Sequence, residues 1–422
     1  MAGKPAISKS HRSRHYMVMV ATAIWLFAAF PFVEIASTRS APFFLIFVFV
    51  VVLVRLATGN IHSPDGKIIG WQVLFAAEPP ARRMLLFSIA ALLAWGLLSL
   101  FWTPLPLKGT KDIVAFALAG MSFLLLAHQF HLAKGRYFRQ TLFVGLISAS
   151  LVLVLDLNYL KSLYRLFADN VIIDDLNRNA ATLALLIWPA LAFLGFRTMP
   201  RKAAFLALLS LCFVVVFSSD GQSAQLGILA GLVAGISSWV SRYLFRALIG
   251  FLALTILVFP LLVPMLNSSV DLLPERLVES AHVTHRLQIW RGYAELIGEH
   301  PYRGLGMHAH EKRGNDGSIG QYAKRIGLPA LANHPHNFIL EIWVDLGAIG
   351  AILLSGLLLA AGMLADGLKR PDRVLFAQVL MSGFVISALG HGFTQSWWIA
   401  TITIACIAVS QVMHDPPSKQ AT

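Results

Sequence analysis

The sequence predicts an all-α polytopic membrane protein: about twelve transmembrane helices, with one large non-cytoplasmic loop containing short helices. Three observations predict it. Hydrophobic residues make up 57% of the chain and charged ones 13%, with a mean hydropathy of +0.69, whereas a soluble domain is about half apolar and a quarter charged. Apolar runs long enough to cross the hydrocarbon core, about 17–25 residues, recur along the chain. The basic residues fall mostly on one side of those runs.

In order, the runs lie near 16–36, 41–57, 84–101, 112–131, 139–157, 179–197, 202–217, 223–240, 244–265, 337–363, 374–393 and 396–413. They divide the chain into 1–265 (nine spans), 266–336 (the large loop) and 337–422 (three spans and a short cytoplasmic tail). The first run is too long for a signal-peptide core and lacks a small-residue cleavage site, so no cleavable signal is expected. Lys4, Lys9, Arg12 and Arg14 precede it and place the N-terminus in the cytoplasm. Arg82, Arg83, Lys134, Arg136, Arg139, Arg197, Arg201, Lys202, Arg242, Arg246, Lys369, Arg370 and Arg373 collect on the same side; Arg39, Lys108 and Lys111 are among the few on the other. Twelve spans return the C-terminus to the cytoplasm. The net charge of +13 is therefore read as topology plus attraction to anionic membrane lipids, and nucleic acid is excluded as a partner.

Cys212 and Cys406 fall inside separate runs and read as small apolar residues. No CxxC, HExxH, phosphate-loop or dinucleotide motif is present, which leaves nucleotide hydrolysis and zinc chemistry without support. No internal repeat stands out, which weakens a transporter built from two matching halves.

Two loops on the non-cytoplasmic side are long. Residues 158–178 include Asp174-Asp175-Leu176-Asn177-Arg178 at the start of a span, where a helix-end dipole would favour an anion near Arg178. In the 266–336 loop, residues 284–299 place Leu287, Trp290, Ala294 and Ile297 on one apolar stripe. That helix is expected on the membrane surface or capping the bundle, with Trp290 and Tyr293 at the interface. Arg286 lies one turn before Trp290, and Arg291 points about 140° away from Arg286 at 100° per residue. Pro301-Tyr302-Arg303-Gly304-Leu305-Gly306 stops the helix, and 307–321 read as mobile.

The loop ends on His334-Pro335-His336-Asn337, where a titratable imidazole meets an apolar helix. His336 suits a general base or a positioner for an incoming hydroxyl. The plainer reading is an interfacial His at a helix start, with Asn337 helping to cap it. His334, two residues away in extended backbone, points the same way as His336 and is a helper or a bystander. A metal is not expected, because nearby carboxylates are sparse and Glu341 (five residues beyond His336) lies on a poorly matched face. His308 and His310 are expected to be solvated, and Glu295 and Glu299 exposed. Asp345 would be costly in a span unless paired, and could support the site from below.

His336-Asn337, nine residues, then Gly347-x-x-Gly350, preceded by Arg286-x-x-x-Trp290 and Pro301-x-x-Gly304-x-Gly306, resembles the signature of the bacterial O-antigen ligase and polymerase superfamily. The layout of the whole chain resembles that family too. The resemblance implies an enzyme of the bacterial inner membrane, a glycosyltransferase of lipopolysaccharide biosynthesis with a periplasmic active site in the loop. Its donor would be an undecaprenyl-diphosphate-linked glycan and its acceptor a sugar hydroxyl of lipid A-core, with inversion and neither metal nor cofactor. His336 would be catalytic. Arg286, Arg178, Arg291, Asn337 and His334 would bind diphosphate or glycan, since arginines match phosphate oxygens in pairs. Arg286 also has the plainer reading of an arginine bonding lipid phosphates. One departure stands out: the family's Ser-Arg pair before the eighth span is here Ser218-Ser219-Asp220-Gly221-Gln222-Ser223, without arginine. The alternatives are an O-antigen polymerase or a protein O-oligosaccharyltransferase of the same superfamily, or a polytopic lipid or glycan transporter. The short sequence after the last span counts against the protein-glycosylating enzymes. Clustering of the polar candidates at one membrane face counts against the transporter.

Overall fold

The structure is a computed structural model and describes residues 29–30, 41–57, 80–132, 136–155, 173–194, 199–268, 283–311 and 334–413. Among these residues the regular structure is helical: α1 (Ala41–Ala57), α2 (Pro80–Ser99), α3 (Pro106–Leu132), α4 (Arg136–Leu155), α5 (Ile173–Leu194), α6 (Met199–Ser218), α7 (Gln222–Val240), α8 (Arg242–Ser268), α9 (Val283–Glu299), α10 (Phe338–Asp366), α11 (Arg370–Leu389) and α12 (Ser396–Met413). Each expected apolar run from 41–57 onward coincides with a helix; the run at 16–36 lies almost wholly outside the described residues. By length and composition α6, α7, α8 (over Arg242–Leu266), α10, α11 and α12 can cross a membrane, six helices among the described residues. The chain is thus a multi-pass helical membrane protein, a coarser statement than twelve spans.

Two helices differ from expectation in ways that bear on the site. Helix α5 begins at Ile173, so Arg178 sits in its second turn and not at its end, beyond the strongest reach of the helix dipole. Helix α11 runs Arg370–Leu389, four residues earlier than the run at 374–393, because Pro371 fixes a first-turn geometry at its start. Residues 390–395 are therefore not helical and become available to the site.

The chain forms two compact units. The first comprises residues 1–77, 118–228 and 396–422. In it α5 packs on α4, α6 and α12, and α1 on α12, around buried Leu142, Leu146, Leu183, Ile187, Cys212 and Val216. The second comprises 78–117 and 229–395. There α10 is the central helix, against α2, α8, α9 and α11. Its partner α8 contains Pro260, which has no N–H to give the Ile256 carbonyl four residues back. The Trp343 indole of α10 donates to that carbonyl instead, at 2.8 Å. The defect is answered by the helix it faces.

One end of the second unit is basic. Arg242 and Arg246 both pair with Asp366, at 2.6 and 2.8 Å, and Arg370 stacks over Trp239. The other end of α10 carries the histidines and buried acids described next.

Candidate active site

The helix expected over 284–299 is α9, and its stripe is buried: Leu287, Trp290 and Ile297 join Tyr293, Leu305, Leu340 and Val344 in one core cluster, with Ala294 packed against it. Trp290 and Tyr293 are therefore core residues, not interfacial ones. The face of α9 bearing Trp290 has α8 and α10 to cover it, so protein takes the place expected for lipid. Trp290 also fixes the loop ahead of α10, since its indole donates to the Pro335 carbonyl at 3.0 Å.

The Pro301–Gly306 and Gly347–Gly350 motifs turn out to be one structural feature. Gly347 interrupts α10 with φ 66° and ψ −165°, a region open to glycine and costly for other residues. At the break the Val344 and Asp345 carbonyls and the Ala348 and Ile349 amides take partners outside the helix. The strap 301–306 supplies them: Leu305 N donates to Val344 O and Gly306 N to Asp345 O, both at 2.8 Å, while Ala348 N donates to Pro301 O (2.8 Å) and Ile349 N to Tyr302 O (3.3 Å). The remaining carbonyl, Leu346 O, accepts from the Trp95 indole at 2.9 Å. A Cβ at Gly304 would lie 2.6 Å from the Asp345 carbonyl, so the strap can cross this closely only as glycine.

Beyond the strap the chain turns back over the first turns of α10. His308 N and His310 N each donate to the Asp345 carboxylate at 3.0 Å, and the His310 Nδ1 lies 2.9 Å from it. Residues 307–311 are thus fixed, and His308 and His310 are not solvated as expected. His310 is buried; His308 is clasped between Asp112 and Glu311, 2.5 Å from each, and Glu311 pairs with Lys108. The sequence carried a signal for this: Glu341 and Asp345, four apart on an apolar helix, share one buried face and need partners.

Glu341 also departs from expectation. It does not face His336, but it does face His334, whose Nε2 lies 3.3 Å from its carboxylate, and His310 at 3.8 Å. From the non-helical 390–395 segment, Phe393 N (3.0 Å), Thr394 N (2.9 Å) and Thr394 Oγ1 (2.5 Å) donate to the same carboxylate. Three donors thus satisfy one buried carboxylate. Burial alone would lower the pKa of His310, but Asp345 and Glu341 outweigh it and hold that imidazole at about 9. His308 is raised for the same reason: its burial is overcome by Asp112 and Glu311. Burial pushes His334 down to about 4, with Glu341 opposing and the other histidines assisting. At neutral pH His310 is a cation and His334 is neutral.

His336 stands apart from this buried group. It is exposed, with φ 50°, a left-handed conformation that is costly for a non-glycine residue. Neighbouring segments help to hold it there. Its backbone N–H donates to His334 Nδ1 at 2.7 Å, and its ring Nδ1 lies 3.3 Å from the Gly390 carbonyl. A carbonyl can only accept, so Nδ1 carries the proton of the neutral ring and Nε2 is the basic nitrogen. Asn337 behind it is fully buried and caps α10, its Oδ1 accepting from Ile339 N (2.9 Å) and Leu340 N (3.2 Å).

The expected arginines differ in setting. Arg286 is half-buried, burial lowers its pKa, and no hydrogen bond or ion pair engages it among the described residues. Arg291 is exposed and paired with Glu295 at 3.1 Å; Glu299 is exposed, as expected. Arg178 belongs to the first unit, where it lies 5.7 Å over the Trp397 ring. In the same unit Gly221 of the arginine-free turn sits against Asn177.

His310, Glu341 and Asp345 bring one ligand-type atom each to within 4.8 Å. Their lone pairs are already directed at backbone amides, Thr394 Oγ1 and the His310 ring, so we read the trio as a hydrogen-bonded core and not as metal ligands.

Residues 205–355, which include Arg286, the strap, His336 and the Gly347 break, match the family model described as O-antigen ligase. The segment carrying the site belongs to the O-antigen ligase family. The chain is also similar to proteins named "Putative polysaccharide ligase": one from Rickettsia conorii, 25% identical over 62% of this chain and 64% of that one, and one from Rickettsia prowazekii, 24% identical over 78% of this chain and 80% of that one. The O-antigen ligase match begins inside α6 and ends inside α10. Asp112, Lys108 and Thr394, which complete the site, lie outside it.

Proposed function

We propose that this chain transfers a glycan from undecaprenyl diphosphate to a sugar hydroxyl of lipid A-core at the periplasmic face of the inner membrane, inverting the anomeric centre without a metal. The observation that carries this reading is His336: an exposed imidazole whose Nδ1 is committed to a carbonyl, leaving Nε2 as the base. Nε2 accepts the proton of the acceptor hydroxyl as its oxygen bonds to the anomeric carbon, and the carbon–oxygen bond to the diphosphate breaks. The leaving diphosphate needs countercharge more than a proton. Arg286 supports that role: it is half-buried, it lacks an acidic partner among the described residues, and it sits one turn from the Trp290 that holds the His336 loop. Arg291 is proposed as a weaker diphosphate ligand, already engaged by Glu295. Glu341 and Asp345 are buried and hydrogen-bonded, so neither is posed as a nucleophile, which favours single displacement.

The test uses purified protein, undecaprenyl-diphosphate-linked oligosaccharide and lipid A-core, with a chelator and without nucleotide. Capped lipid A-core is the expected product. His336→Ala lowers its rate about 10²–10⁴-fold, and Arg286→Ala weakens donor binding about tenfold or more, the worth of a charged hydrogen bond. Full activity in His336→Ala would refute the role of this residue. Elongation of the carrier-linked glycan in place of capping would make the protein a polymerase.

A further inference from the structure

Bonds that hold His336 in its left-handed conformation come from two different segments: His334 Nδ1 takes its backbone N–H, and Gly390 O faces its ring. Both segments are tied to one side chain. Glu341 Oε2 lies 3.3 Å from His334 Nε2, and the Glu341 carboxylate gathers Phe393 N, Thr394 N and Thr394 Oγ1 from the segment that begins at Gly390. Gly392 lies so close to the His334 imidazole and the Glu341 carboxylate that a Cβ there would overlap both. The tautomers agree along the line. His334 Nδ1 accepts from an amide, so its proton is on Nε2, facing Glu341 and the side-chain amide of Gln395 at 3.2 Å, whose oxygen must then be the atom turned toward the ring.

We propose that Glu341 is the positioning residue of the site: it joins the 334–337 and 390–395 segments so that the His336 ring presents Nε2, and its negative charge favours the imidazolium that His336 becomes. The proposal rests on the reading of His336 as base. Glu341 touches no substrate; it acts through His334. The groups facing it are His310 and His334 from the preceding loop, Asp345 one turn along α10, Tyr293 of α9, Asp112 of α3 and Thr394.

Glu341→Gln keeps the size and removes the charge. Two measurements on the full-length protein in detergent separate this proposal from the function on which it rests. Carbethoxylation of His336 by diethyl pyrocarbonate, read by peptide mass spectrometry across pH, reports imidazole basicity without any glycan. The midpoint for His336 is expected to fall in Glu341→Gln, since a nearby negative charge is lost. In the transfer assay kcat drops about 10–100-fold, the scale for outer-shell carboxylates behind a working histidine, KM for the donor changes little, and the acid limb of the rate profile moves to lower pH. An unchanged carbethoxylation midpoint with an unshifted limb would overturn the proposal, whatever the loss of rate. Should Glu341→Gln not accumulate, His334→Gln cuts the same link and must disturb His336 labelling. If wild type transfers no glycan yet the midpoint still shifts, the functional reading fails and the coupling stands.

Discussion

At the scale of single residues, the site pairs one exposed imidazole with a buried set of ionised groups, and this arrangement makes stability depend on pH from both sides. His310 is held at about 9 against an ordinary 6.5, because Asp345 and Glu341 outweigh its burial. That stabilisation is complete below pH 6.5 and is lost as pH rises toward about 9. His334, pushed down to about 4 by burial, acts oppositely: the unfolded chain takes up its proton below pH 6.5 and the folded one does not, so stability falls from 6.5 toward 4. Thermal unfolding in detergent should therefore peak near pH 6.5 on account of these two groups. His310→Gln should flatten the alkaline side, leaving only the share that His308 contributes in the same direction. His336 was legible in the sequence because a polar residue at a loop–helix junction breaks an otherwise apolar pattern. His308, His310 and Glu341 were not, because their partners lie far off in the chain, and a His in a glycine-containing stretch looks solvated until the chain folds back over Asp345.

At the scale of elements, the apolar runs were legible as helices, with ends displaced by up to six residues, since burial in lipid leaves long uninterrupted signals. The break in α10 was not. Gly347 sits in a run that reads as one helix, and only the strap explains why it is glycine. Replacing Gly347 by Ala should cost about 3 kcal/mol or more, combining the cost of a forbidden conformation with overlap of the new Cβ on the Tyr302 carbonyl. Gly356 in the same helix has open space around its Cβ position, so Gly356→Ala should leave the unfolding temperature unchanged or raised. Equal behaviour of the two variants would contradict the splice. The end of α11 shows the converse limit: hydropathy carried the expected span through to 393, while the helix stops at Leu389 and frees Phe393 and Thr394 to bind Glu341.

At the scale of the whole molecule, the second unit has a basic end, with Arg242, Arg246 and Arg370, and an opposite end carrying the histidines. The bias of basic residues toward the cytoplasm then places the site on the periplasmic side, a prediction open to labelling. Tyr302 is 77% exposed; in a background where Cys212 and Cys406 are replaced, Tyr302→Cys should react with a membrane-impermeant maleimide in intact spheroplasts. Arg246→Cys should react only after permeabilisation. The reverse pattern would invert the topology and remove the site from its proposed donor and acceptor.

The splice at Gly347 also constrains the order of assembly. A helix with broken backbone bonds is expensive in hydrocarbon, because no water is there to satisfy them. Every group that repairs the break in α10 comes from earlier in the chain: Trp95, then residues 301–306. During synthesis those repairing groups are made before α10 leaves the ribosome. The helix that bears Glu341 and Asp345 is thus born after its own splint, and the site closes last, when Phe393 and Thr394 reach Glu341.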